Sequence, residues 1–227
     1  MNGLVVIGAG GFAREAAQAA RAAGRELLGH LDDDPALHGV EVDGVPVLGG
    51  TELARELTGV DFVVCAGSPR DYAVRARIVA RLGLPGDRYA TLADPTAVVS
   101  ATSRLGPGCV LLAHTVLTAS VRLGAHVAVM PHCVLTHDDE VGDYATLASG
   151  VRLGGAVRLG RGVYAGSGAQ VREHTTVGPW SLLGMGSVVL GDVPPGEVWA
   201  GSPARRLREA GPEALEQLAE ETAGEYR

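Results

Sequence analysis

Residues 122–145 read RLGAHV AVMPHC VLTHDD EVGDYA, four blocks of six in which Leu123, Val129, Leu135 and Val141 hold the same place. Extended in both directions, every sixth residue from Val99 to Val189 is Val or Leu, with Ala165 the single departure. An amphipathic helix would repeat its apolar residues near 3.6 and a half-buried strand near 2, so an unbroken period of six fits neither. Glycine follows the aliphatic residue at Gly106, Gly124, Gly142, Gly160 and Gly178, at a spacing of eighteen. Three hexapeptides therefore make one structural repeat. The pattern predicts a solenoid in which each short strand supplies one inward aliphatic residue, small residues turn the corners, and three sides close one coil of a parallel β-helix. At about 3.3 Å per residue the perimeter is near 60 Å and each side about 20 Å.

Composition agrees with so narrow a prism. Aromatic residues are 4% of the 227, against 33 Gly and 12 Pro, because Val, Leu and Ala fill the interior where Phe or Trp would overfill it. Counting the aliphatic residue as first, the fifth position carries Ser103, Cys109, Thr115, Val121, Cys133, Ala145 and Val151, with Asp139 the exception. Cys109 and Cys133 thus read as packing residues. With Cys65 they form an odd set lacking CxxC spacing, as expected in a reducing compartment. The fourth position, occupied by Gly108, His114, Ser120, His126, His132, Asp138, Tyr144, His174 and Trp180, reads as a corner.

All 19 residues counted as Lys+Arg are Arg, which excludes a Walker lysine, a Schiff-base lysine and a pyridoxal-phosphate anchor. A net charge of -7 argues against a nucleic-acid or anionic-membrane partner. The opening MNGLVVIGAGG has no basic n-region, and no apolar run approaches the roughly 18 residues of a membrane span, so a cytoplasmic protein is expected.

The residues before the solenoid have a different rhythm. Leu4 to Ile7 reads as a strand, Phe12 to Ala23 as an Ala-rich helix stopped by Gly24, and Leu27 to Leu31 as a second strand. Thr51 to Leu57 reads as a short helix, Phe62 to Ala66 as a third strand and Asp71 to Leu82 as another helix, with Asp94-Pro95 closing the link to the solenoid. These make a Rossmann-like βαβ domain over residues 1–92, followed by the β-helix over 93–193 and a C-terminal coil and helix over 194–227. The helix is expected from Pro212 to about Tyr226, covering the open end of the solenoid.

Two places carry candidate chemistry. Gly8-Ala9-Gly10-Gly11-Phe12-Ala13 fits G-x-G-x-x-[G/A] between a strand and a helix N-terminus, with Asp32, Asp33 and Asp34 about twenty residues on. It reads either as a tight turn that binds nothing or as a phosphate loop. One nucleotide fits better than a dinucleotide, since the solenoid begins before a second half could form. His137 lies in Thr136-His137-Asp138-Asp139, where a carboxylate is at hand to orient an imidazole base. His114 and His132, one coil apart, are either two exposed imidazoles or a metal pair; His30 and His38 lie near loops.

The chain resembles the bacterial nucleotide-sugar acetyltransferases of the hexapeptide-repeat superfamily, which include the sialic-acid O-acetyltransferases and the bacillosamine N-acetyltransferase. The resemblance is carried by VVIGAGGFARE at 5–15, LDDDP at 31–35, VPVLGG at 45–50, THDDEVGDYATLASG at 136–150 and AGSPARRL at 200–207. It implies a left-handed β-helix that uses acetyl-CoA, an N-terminal domain that holds the nucleotide of an amino sugar, and a homotrimer with active sites between subunits. It implies no metal. His137 matches the general base, Asp138 the acid that orients it, and Gly155 an N–H facing the thioester oxygen. Gly8, Gly10, Gly11, Phe12, Asp32, Asp33, Ser68 and Arg70 fall on the nucleotide-sugar side. Gly166, Ser167, Gly184, Gly201, Pro203 and Arg205 fall beside CoA, where Arg205 and Arg206 either pair with its phosphates or form a solvated turn. Two positions depart from the family: Thr146 stands where members carry a second histidine near the acetyl group, and Met130 where several carry Asn near the acceptor.

The expected reaction is acetyl transfer from acetyl-CoA to the amine of a nucleotide-linked sugar, a 4-amino-4,6-dideoxy sugar first. Transfer to a sugar hydroxyl and transfer of another acyl group are the nearest variants. Two other classes are a zinc hydratase like the γ-carbonic anhydrases, for which His132 and His137 have the offset but Thr96 fills the third ligand position, and a binding protein that has lost catalysis.

Overall fold

A computed structural model describes residues 2–224. Strands β1 (Gly3–Ile7), β2 (Leu27–Leu31), β3 (Glu41–Val42), β4 (Val45–Gly49) and β5 (Val60–Val64) form one sheet in the order β3-β4-β2-β1-β5. Its pairs are parallel except for the β3–β4 hairpin. Successive β1 residues face opposite sides, as a strand's period of two requires. Leu4 and Val6 pack with the alanines of helix α1 (Gly11–Ala22), and Val5 and Ile7 with Leu31, Phe62 and Leu82.

Three local expectations shift. The third strand is Val60–Val64, two residues earlier than its apolar run indicates, and Thr51–Arg55 forms a 3-10 turn in place of a helix. Helix α2 runs Val74–Leu82 and not from Asp71. The Ser68 hydroxyl accepts the N–H groups of Arg70 and Asp71, and Ser68 and Asp71 exchange backbone bonds, so this turn keeps Asp71 outside the helix.

From Leu92 the chain winds into a three-sided parallel β-helix of two-residue strands. The first face stacks Val98–Val99, Val116–Leu117, Val134–Leu135, Arg152–Leu153, Gln170–Val171 and Val188–Val189. The second runs from Arg104–Leu105 to Thr176–Val177, and the third from Leu92–Ala93 to Leu182–Leu183, extended by the hairpin Glu197–Gly201 and Ala204–Glu209. Every register between the two-residue strands is a shift of eighteen, as in Leu123 with Val141 and Val129 with Leu147, and it shortens to sixteen where Leu182–Leu183 meets Val198–Trp199 of the hairpin. The inward aliphatic residues form one continuous core with Cys109, Cys133, Ala145 and Ala169.

The glycines and the corners play separate roles. A Cβ at Gly106 would lie 2.6 Å from the Gly124 backbone, and one at Gly160 2.6 Å from Pro179 N, so the eighteen-residue glycine series exists because adjacent coils approach closely. The left-handed conformation falls instead on the fourth position, with positive φ at His114, Ser120, His126, His132, Asp138, Tyr144, Ala156, His174 and Trp180. There the N–H turns to the coil before: His126 N donates to Pro107 O, Asp138 N to Ala119 O and Ala156 N to His137 O, each at a separation of nineteen residues.

Helix α3 (Pro212–Gly224) does not cover the end of the prism core; the expected residues up to Tyr226 lie outside those described. Val193, Ala204 and Trp199 pack at that end of the core. Ala210 and Ala214 pack instead with the corner residue Trp180 and with Tyr72, Ala73 and Ala76. Trp180 is fully buried, its carbonyl accepting from the Tyr72 hydroxyl at 2.8 Å and its indole N–H donating to Glu221 at 3.0 Å. The large aromatic that the prism has no room for thus fills the seam between solenoid, α2 and α3.

That seam is pinned by Arg75 of α2, which is 2% exposed. Its guanidinium donates to the carbonyls of His126, Ala66, Tyr144 and Ala145 and to the Thr146 hydroxyl. His126 lies beside it, buried, edge-on to Tyr89 and stacked on Tyr144. Burial, then the Arg75 charge, pushes the His126 pKa down to about 4 from 6.5.

The folded protein therefore excludes a proton that the unfolded chain binds below pH 6.5. Stability linked to His126 is present above that pH and is lost as pH falls toward 4, by about 3 kcal/mol in full. Thermal melts of the wild type and of His126→Phe between pH 7 and 4 are expected to diverge, the variant showing the shallower fall.

Candidate active site

His137 and Asp138 stand on the edge between the first and second faces. Asp138 is the left-handed corner residue, and its carboxylate accepts from His137 Nδ1 at 3.0 Å, which leaves Nε2 as the free lone pair. Both side chains are 64% exposed. One coil on, Gly155 lies directly against the ring, where any side chain would meet His137 Nε2 and Cε1. The Gly155 N–H has no acceptor among the described residues, whereas its carbonyl accepts from His174 N. An imidazole base and an unused N–H donor are thus side by side.

The other expected residues gather elsewhere. Phe12, Met130, Thr146 and Ser167 line a 190 Å³ cavity with Gly67, Arg75, Ala148, Ser149 and Tyr164, between the glycine loop and the third face. A second 190 Å³ cavity shares Tyr164 and Ser167 and adds Gly166, Gly184, Leu183 and Met185. His137 lines neither. A concavity of 510 Å³ is an open groove along the second face past Arg122, Glu140, Arg158 and Thr176, and none of the expected site residues lines it.

In the glycine loop, Gly8 has φ 110° and a Cβ there would lie 2.7 Å from Cys65 O, while Gly10 and Gly11 face open space. No side chain caps α1 and no acid stands in its first turn, so its N-terminal partial positive charge is left for an anion. Asp32 accepts from Ala9 N at 2.8 Å and from Asp34 N at 2.9 Å, bracing the loop. Asp33 is held by Thr51 and Arg81, which lower its pKa although burial opposes them. Ser68 and Arg70 form the exposed turn before α2. His30 is buried under the loop with Nδ1 2.8 Å from Gly8 O, and burial lowers its pKa.

At the far end, Gly166 and Gly184 are required by the next layer, since a Cβ would fall on Met185 N and on Ala200 Cβ. Gly201 and Pro203 form the tip of the hairpin. Arg206 is engaged by Glu197 at 2.7 Å, while Arg205 bonds to Ala204 O. His114 and His132 stack with centroids 5.1 Å apart, and among the described residues no cluster of three His, Cys, Asp or Glu side chains forms around them.

Two residues carry more than their sequence position announced. Arg75 is one of three arginines on α2 and nothing in the helical pattern marks it as the buried one. Its bond to Thr146 at 2.7 Å occupies the hydroxyl that stands where the family resemblance has a second histidine. Asp139 was visible as the charged exception at the fifth position, and its carboxylate is fully buried two residues after His137.

The family described as PglD N-terminal domain matches residues 3–82. The chain is 27% identical over 220 residues to the GDP-perosamine N-acetyltransferase of Escherichia coli O157:H7, covering 92% of this chain and 97% of that protein. Among solved structures it is similar to the acetyltransferase domain of PglB from Neisseria gonorrhoeae FA1090 in complex with acetyl coenzyme A, with TM-score 0.83, 32% identity and coverage of 91% and 99%. It is also similar to PerB from Caulobacter crescentus in complex with CoA and GDP-perosamine, with TM-score 0.67, 28% identity and coverage of 91% and 98%.

Gly155 lies outside the left-handed region, so its backbone accepts Ala and the added Cβ has the His137 ring to displace. Gly155→Ala is expected to keep the wild-type melting temperature within a few degrees while shifting the His137 ring resonances in NMR spectra. Unmoved resonances would show that the two residues are not in contact.

Proposed function

The chain belongs to the hexapeptide-repeat bacterial sugar acyltransferases, and from that premise we propose that it moves an acetyl group from acetyl-CoA to the amine of a nucleotide-linked sugar, a 4-amino-4,6-dideoxy sugar first. It is an acyltransferase; the Escherichia coli relative named above is a GDP-perosamine N-acetyltransferase, and the PerB structure holds CoA and GDP-perosamine. The observation that carries the chemistry is the His137–Asp138 pair over the free Gly155 N–H. In this reading His137 Nε2 takes the proton of the amine as nitrogen bonds to the thioester carbon, and Asp138 stabilises the imidazolium. The Gly155 N–H donates to the oxygen as it gains charge. The C–S bond then breaks, the sulfur leaves as the CoA thiolate, and the imidazolium is the nearest proton source for it.

Residues 1–92 are proposed to hold the nucleotide sugar, with the phosphates at the N-terminus of α1 past Gly10 and Gly11 and the sugar against Phe12 and Met130. The β-helix over 93–193 is proposed to supply the acyl-transfer site, with acetyl-CoA along Gly166, Ser167 and Gly184 and the hairpin of Gly201, Pro203 and Arg205 within the 194–227 tail.

His137 and the cavity at Phe12 and Met130 lie on different edges of the prism, and at about 20 Å per side one chain's imidazole does not reach its own cavity. This separation supports a homotrimer in which each site joins His137 of one subunit to the cavity of the next.

Release of CoA thiol from acetyl-CoA is expected with a nucleotide-linked amino sugar, and His137→Ala is expected to lower kcat by about 10²- to 10⁴-fold. Full turnover by that variant would remove His137 from the mechanism. Co-refolding His137→Ala with a cavity-blocking Met130→Trp chain is expected to restore activity that neither has alone. A mixture as inactive as its parts would place each site within one chain.

A further inference from the structure

The fifth hexapeptide position faces the prism core, and Asp139 is the single carboxylate among the occupants described above. Its side chain is fully buried. One carboxylate oxygen accepts the N–H of Thr136 at 2.8 Å and the other the N–H of Val157 at 2.9 Å. The first bond closes the turn that carries His137 and Asp138. The second ties that turn to the coil carrying Gly155. Equivalent positions manage without an anion: Ser103 uses a hydroxyl toward Val121 N, and Cys109 and Cys133 direct thiols at carbonyls.

Burying an anion is unfavourable unless something compensates it. Here desolvation raises the Asp139 pKa to about 7 despite both N–H bonds, and His137 and Asp138 act on it in opposite directions. The other charged groups on adjoining strands, Arg122, Glu140, Arg152 and Arg158, are exposed, and Glu140 and Arg158 face each other at 3.6 Å. A Cys or Val would fill the position without this penalty, so the carboxylate's distinguishing feature is its place in the turn that bears the base.

We infer that Asp139 is a positioning residue for His137: its carboxylate locks the Thr136–Asp139 turn onto the Gly155 coil and sets a buried negative charge within electrostatic reach of the imidazole. A charged His137 favours ionised Asp139. The inference rests on the proposed reading of His137 as base.

The sign of the stability effect separates this role from a purely structural one. A carboxyl whose folded pKa is raised from 3.8 to about 7 costs stability progressively as pH rises from about 3.8 to 7, and the full loss is in place above 7. Asn accepts only one of the two N–H groups and turns its NH2 on the other, a cost that relief of the buried charge offsets, so Asp139→Asn is expected to melt within a few degrees of the wild type at pH 8. Its kcat is expected to fall about 10-fold or more while KM for acetyl-CoA and for the sugar nucleotide stay within about twofold. Wild-type kcat should drop as pH falls through about 7, a step the variant lacks. Asp139→Cys, which copies Cys109 and Cys133, should lose kcat similarly and serves as the deciding variant if Asn does not fold.

Measured beside His137→Ala, the outcomes divide cleanly. With His137→Ala inactive, full kcat and an unchanged pH profile in Asp139→Asn overturn this inference and leave the base assignment standing. Loss of kcat only in step with a fallen melting temperature also overturns it. With His137→Ala fully active, the base reading fails first and this inference fails with it.

Discussion

Each coil of the β-helix is bound to its neighbours by backbone hydrogen bonds that leave the chain no freedom in register. Strand N–H groups reach one coil forward, as Val98 to Thr115 O, and corner N–H groups reach one coil back, as His126 to Pro107 O. Satisfying both directions turns the fourth residue of nearly every hexapeptide into the left-handed region. For residues other than glycine that conformation costs roughly 1 kcal/mol or more apiece, and the coil-to-coil bonds offset it. The eighteen-residue spacing, the small interior and the outward corner side chains all follow. So does the placement of His137, since a corner turn fixed to a rigid ladder holds its ring over Gly155 without help from a flexible loop.

This constraint explains which features were legible in the sequence. The period from Val99 to Val189 reports the core because each inward residue sees the same prism. The glycine series was equally visible, yet its meaning was not: it marks close stacking at Gly106 and Gly160, while the strained conformation lies at His, Asp, Tyr and Trp. Composition cannot separate these, because both demands favour small residues and only one tolerates large ones. The start of α2 was misjudged for a local reason, the Ser68–Asp71 turn competing with helix. Long-range contacts were hidden altogether. Nothing in the helical pattern distinguishes Arg75 from Arg77 or Arg81, and nothing in the repeat says that Trp180 lies under α3.

In the candidate site, residues defined by local context were readable and those defined by assembly were not. His137 beside Asp138 is a sequence-adjacent pair, and Gly155 is one repeat away, so a regular coil brings them together. Asp33 had been expected beside a nucleotide, but Thr51 and Arg81 use its carboxylate within the domain. Thr146 likewise has its hydroxyl engaged by Arg75.

Arg75 connects the two halves of the problem. Four of its five contacts, the carbonyls of His126, Tyr144 and Ala145 and the Thr146 hydroxyl, hold the glycine-loop domain against the solenoid, and the Ala145 carbonyl also accepts the coil-to-coil bond from Ala128 N. Its partners among the described residues are carbonyls and a hydroxyl, with no carboxylate, and burial lowers its pKa to about 10, so it remains a cation at neutral pH. Moving the domain would strand that charge and the carbonyls it serves, each unsatisfied group costing about 1–3 kcal/mol. The loop at Gly10 and Gly11, the cavity behind Phe12 and the corner at His137 are consequently indexed to one ladder. In the proposed trimer a second copy docking against the prism would meet all of them at fixed spacing, which is the geometric condition for two subunits to build one site.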